Sequence, residues 1–128
     1  MAEALCRLAA EAGADVALSA PGIGAASVGA LAARGVRAVD GPLRLDRLLA
    51  GADLGLSHAS NGIAAAFMHA GVPQIGLPRH IEQLMAARTL ARAGLGLAAQ
   101  GRPQAGALLR AMRGALGSAK LRENCRAA

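Results

Sequence analysis

The chain has 128 residues, of which 54% are hydrophobic and 1% aromatic, and its 14 Lys and Arg against 8 Asp and Glu give a formal charge of +6. That length supports a single domain over residues 1–128 with a sizeable core, necessarily an aliphatic one, because the sequence holds one Phe and no Trp or Tyr. Disorder is excluded by the apolar content. Nucleic acid is not an expected partner, since single strands need aromatic stacking platforms.

The basic residues are scattered along helix-like stretches and thicken toward Arg102, Arg110, Arg113, Lys120, Arg122 and Arg126, so they read first as a solvated surface. Membrane contact is peripheral at most, because no uncharged stretch has spanning length. Glu3, Arg7 and Glu11 interrupt any signal-like run at the start. Cys6 and Cys125 lack a CxxC neighbour or a His at ligand spacing, so no metal site is expected. Two isolated thiols suit a reducing cytoplasm.

Taken in chain order, residues 2–12 place Leu5, Leu8 and Ala9 at helical spacing, with Gly13 as the stop. Residues 15–20 (DVALSA) form an apolar run that ends at Pro21-Gly22, a strand entering a loop. A helix follows over 25–34, a strand over 36–39, a short helix over 44–50 and a strand over 52–57. The alternation continues with a helix over 63–70, a strand over 74–77, a helix over 81–93 and a strand over 95–98. Helices over 103–115 and 118–126 finish the chain. Strands alternating with helices predict an α/β fold, a Rossmann-like doubly wound parallel sheet. Ligands of such sheets bind beyond the carboxyl ends of the strands, which directs attention to loops 21–24, 40–43, 57–62 and 78–82.

The stretch 56–63 (LSHASNGI) leaves a buried strand and opens a helix. A helix N-terminus offers free N–H groups and partial positive charge, so it suits a phosphate. His58 stands at the strand end, and the small residues Ala59, Ser60 and Gly62 let a ligand approach the backbone. The same residues also read as an ordinary cap, with Ser60 or Asn61 closing the helix, and both readings stay open. Glu82 and Gln83 open the next helix from the crevice edge. An adjacent acid and amide suit sugar hydroxyls, and also suit plain first-turn acidity. His69 falls in a helix interior and reads as structural, whereas His80 lies beside the second loop.

Pro42, His58, Gly71-Val72-Pro73 and Glu82-Gln83 together resemble the donor signature of family 1 glycosyltransferases, enzymes of GT-B fold that glycosylate small lipophilic acceptors. His58 to Gln83 spans 25 positions and Gly71 to Gln83 spans 12, both as in the family, and the resemblance extends over about residues 15–126. It implies the C-terminal half of a GT-B fold that binds a UDP- or dTDP-linked sugar and uses no cofactor or metal. His58, Ser60 and the backbone of Asn61, Gly62 and Ile63 would hold the diphosphate, and Glu82 and Gln83 the sugar. It also implies hexosyl transfer to an acceptor hydroxyl with inversion, the general base lying in an acceptor-binding domain or partner chain. No residue here takes that base role.

The sequence departs from the pattern at several places. Ala59 and Ser60 replace two glycines, and Ile63 replaces a hydroxyl residue. Asp40 stands where the plant version stacks a Trp on the base, Leu43 where it has Gln, and Ala66 where it has a ribose-binding Glu. The first strand and loop of the donor domain are also expected to be missing, as the chain opens on a helix. Two alternatives follow: the donor subunit of a two-chain N-acetylglucosaminyl transferase, or a degenerate, non-catalytic interaction module.

Overall fold

A computed structural model describes all residues, Met1–Ala128. Helices and strands alternate as α1 (Ala2–Ala12), β1 (Val16–Ser19), α2 (Ala25–Ala33), β2 (Val36–Val39), α3 (Leu45–Leu48), β3 (Gly55–Ser57), α4 (Asn61–His69), β4 (Gln74–Gly76), α5 (Ile81–Arg92), β5 (Gly96–Ala98), α6 (Ala105–Gly117) and α7 (Ala119–Ala127). Each predicted element is present. The third helix is the most altered, because after Leu48 it tightens into a 3-10 turn, Leu49–Gly51.

All strand pairings are parallel, as the alternation predicts, and they fall into two sheets ordered β1-β2 and β3-β4-β5. Two compact units are distinguished: residues 1–44 with 104–109, and residues 45–103 with 110–128.

In the first unit, β1 and β2 each bury only their leading valine, Val16 and Val36. Ala4, Leu5, Cys6, Leu8 and Leu31 bury the apolar sides of α1 and α2. The Glu3 carboxylate and Arg34 guanidinium meet at 2.8 and 3.1 Å. That pairing holds Glu3 below the usual carboxylate range, first through the hydrogen bond and then through charge. Both groups are exposed, so salt screens the pair.

The second unit is built on β4, the middle strand, whose three residues are all buried. A strand flanked on both sides and covered on both faces must be apolar or internally satisfied. Ile75 is apolar, and the Gln74 Nε2 amide donates to the Ala64 carbonyl at 3.0 Å, which ties β4 to α4. Two glycines allow helices to approach the sheet. A Cβ on Gly55 would overlap the ring of Phe67 in α4, and one on Gly76 would come 2.6 Å from the Ala87 methyl of α5. At the far end, Ala64, Leu90, Leu95 and Cys125 form one buried cluster. Asn124 donates to the Gly94 carbonyl at 3.1 Å and Cys125 Sγ to that of Leu95 at 3.4 Å, which docks α7. Both cysteines are free, and burial pushes the Cys125 thiol up, so it acts as a small apolar residue.

Candidate functional site

The site is built where β3 and β4 end. Beyond their ladder, the Leu77 N–H donates to the Ser57 carbonyl at 2.7 Å, and His58 Nδ1 lies 2.8 Å from the Leu77 carbonyl oxygen. A carbonyl only accepts, so Nδ1 carries the proton. In neutral His58, Nε2 is therefore an acceptor, and the ring offers a donor on its exposed side only when doubly protonated. His58 is exposed, and its bond to Leu77 joins the two loops that leave the sheet.

Ala59 then turns the chain with φ of 64°, making it the one non-glycine residue in the left-handed region. That conformation costs a residue with a Cβ about 1–2 kcal/mol. It is held by the Ala59 N–H donating to Ser57 Oγ at 3.0 Å, and by burial of the Ala59 methyl. The turn delivers Ser60 to the N-cap of α4, which starts at Asn61, two residues before the predicted Ile63.

Ser60 has the extended backbone of a cap, yet its side chain accepts no capping hydrogen bond. The first helical backbone bond in this turn runs from Ala64 N–H to the Ser60 carbonyl at 2.9 Å, so Asn61, Gly62 and Ile63 present their N–H groups outward. All three residues are exposed, and a Cβ on Gly62 would meet nothing within 4 Å. The arrangement is an exposed first turn of backbone donors that follows closely on His58 in the chain, the chemistry of an oxyanion seat.

The second predicted cluster behaves differently in its two members. Glu82 lies exposed in the first turn of α5. Gln83 is half-buried, and its Oε1 accepts from the Arg79 N–H at 2.8 Å. That bond shapes the loop after β4 and leaves the Gln83 Nε2 amide for another partner. In the first unit, Asp40 closes its own loop: Oδ1 accepts from the Gly22 N–H at 2.6 Å and Oδ2 from the Gly24 N–H at 3.1 Å. Gly24 is the N-cap of α2, so a side-chain carboxylate already occupies that helix start, whereas the start of α4 is open.

No protein-family profile matches the sequence, and no curated protein matches it. Solved structures do. The glycosyltransferase SnogD from Streptomyces nogalater is 30% identical with a TM-score of 0.75, over 97% of this chain and 33% of its own. The spinosyn rhamnosyltransferase SpnG is 22% identical with a TM-score of 0.80, over 98% of this chain and 34% of its own. The chain is a relative of the GT-B-fold family 1 glycosyltransferases. It spans about a third of the length of these GT-B relatives. SpnG has also been solved in complex with thymidine diphosphate, in a structure with a TM-score of 0.78 to this chain at 21% identity.

Sequence reasoning missed three features that govern this GT-B relative. The Leu77 carbonyl that fixes the His58 tautomer is a backbone group and leaves no residue signature. The left-handed Ala59 had a signal, because the bacterial pattern carries glycine there. Asp40 could be noted as a departure, but its role as a clamp on the loop after β1 emerges only from the fold.

Proposed function

We propose that the chain is the nucleotide-sugar-binding part of a glycosyltransferase, with the donor diphosphate lodged against the amino end of α4. The observation that carries this reading is the uncapped first turn, where three exposed backbone N–H groups stand beside a histidine at the carboxyl edge of a parallel sheet. The relationship to glycosyltransferases supports it, as does thymidine diphosphate in SpnG. On this reading the whole enzyme moves a hexose from a UDP- or dTDP-sugar to an acceptor hydroxyl, with inversion and with the general base supplied from outside residues 1–128. Departure of the nucleoside diphosphate develops negative charge, which fixed N–H dipoles stabilise. Glu82 and the free Nε2 amide of Gln83 hold sugar hydroxyls.

His58 meets a phosphate oxygen through Nε2–H, and because Nδ1–H is committed to Leu77, that requires the imidazolium. Substitution His58→Ala should remove most of the binding. Thermal unfolding provides the readout, since ligand at a hundredfold excess over Kd stabilises by about 2.7 kcal/mol. A shift that His58→Ala leaves intact would remove the phosphate role. No shift with any nucleotide sugar would favour the non-catalytic interaction module.

A further inference from the structure

A second depression lies one strand over, between the loops that follow β4 and β5. Its volume is about 330 Å³ and its wall comprises Pro78, Arg79, His80, Leu84, Arg88, Gln100 and Gly101. Such a volume is at the small end of the range for organic ligands, about 300–1,000 Å³. The carboxyl edge of a parallel sheet is also where this architecture binds ligands.

The chemistry of the wall is one-sided. Arg79 and Arg88 form no ion pair, whereas Arg7, Arg34 and Arg37 of the first unit are each paired with a carboxylate about 3 Å away. Leu84 and Arg88 lie four apart along α5 and share one side of it, and His80 is its N-cap. Glu82, the only acid of that helix, lies roughly 160° around from that side at about 100° per residue. No acid therefore faces the depression from α5, and none is among its lining residues. Gln100 adds an amide, while Pro78 and Leu84 give the floor an apolar part. The second unit as a whole carries ten Lys and Arg against four Asp and Glu, and the first unit four against four, so the field around the depression favours anions.

We propose that this depression is a binding site for a small organic anion, separate from the diphosphate seat at α4. The anionic group is an oxyanion, either a phosphate monoester or a carboxylate. Arg79 and Arg88 hold its oxygens, each through a planar fork that matches such groups. Gln100 donates a further hydrogen bond, and the apolar body of the ligand rests on Pro78 and Leu84. The proposal does not depend on nucleotide-sugar binding.

The experiment titrates the 128-residue chain with phenyl phosphate, benzoate and phenol and follows backbone and arginine side-chain signals by 15N NMR. Both anions should move the signals of Arg79, Arg88 and Gln100, and phenol should leave them in place. Tighter binding of phenyl phosphate assigns the group as a phosphate ester, and tighter binding of benzoate assigns a carboxylate. The double variant R79Q/R88Q should weaken the anion by about tenfold, as expected for losing charge-assisted hydrogen bonds. R110Q/R126Q removes the same charge elsewhere in the unit and should not. These four arginines are exposed, and circular dichroism verifies that the variants fold. The proposal is overturned if phenol acts like the anions, if the two double variants behave alike, or if only the amides of Asn61–Ile63 respond. That last result would leave the diphosphate seat standing and remove this one.

Discussion

Gly62 separates ligand approach from folding at the residue scale. Its backbone is not in the left-handed region, and an added Cβ meets open space. Alanine is also the better helix former by about 0.8–1.0 kcal/mol in a helix interior, and somewhat less in a first turn. Gly62→Ala should therefore keep or slightly raise the denaturation midpoint. It should nevertheless weaken nucleotide-sugar binding, because the methyl stands where a phosphate must reach the N–H groups. Calorimetric titration beside a urea melt decides it, and unchanged affinity would argue against a ligand at this turn. Ala59 shows the complementary case, since it keeps a methyl in a conformation that glycine adopts without cost. Its methyl is buried near Gly76, 3.3 Å from where a Cβ on that residue would lie, and that packing offsets the strain. Reading His58 as a site residue required only its place at a strand exit. Knowing which ring nitrogen faces outward required the Leu77 carbonyl.

Elements in the second unit are set by how closely helices approach the sheet. α5 reaches β4 because Gly76 has no side chain, and a Cβ there would lie 2.6 Å from Ala87 Cβ. Overpacking of a tight contact costs about 1–3 kcal/mol. Gly76→Ala should destabilise by that amount and, by tilting α5, disturb the bond from the Arg79 N–H to Gln83 Oε1. The measurement is the urea midpoint together with the amide signal of Arg79, and a fully native signal at wild-type stability would refute the close-approach account. The sequence predicted each of these elements by type. It misplaced the start of α4 by two residues, because the apolar periodicity begins at Ile63 while the helical backbone begins at Asn61. That small error matters, as it places Asn61, Gly62 and Ile63 in the first turn, where N–H groups are free.

Across the whole molecule, charge is divided rather than spread. The full excess of +6 lies in residues 45–103 with 110–128, and the remainder is balanced. Surface fields of this kind attract anions and are screened over about 8–10 Å at physiological salt. Nucleotide-sugar affinity should therefore drop several-fold between about 0.02 and 0.3 M salt, as expected for a screened cationic face. Titration at the two salt concentrations checks it, and constant affinity would mean that local N–H groups act alone.

From its sequence alone, this protein is committed to an aliphatic, parallel α/β fold, because strand and helix periods alternate and turn residues separate them. The spacing of His58, Gly71-Val72-Pro73 and Glu82-Gln83 carried the relationship to GT-B enzymes as well. Tertiary structure decided what those residues have left to give a ligand. Hydrogen bonds between groups distant in the chain commit His58 Nδ1 and the Asp40 carboxylate within the protein, and a local one to the Arg79 N–H commits Gln83 Oε1. The same folding leaves the first turn of α4 open. The commitments of His58 and Asp40 depend on which loops meet in space, and one-dimensional spacing does not encode that.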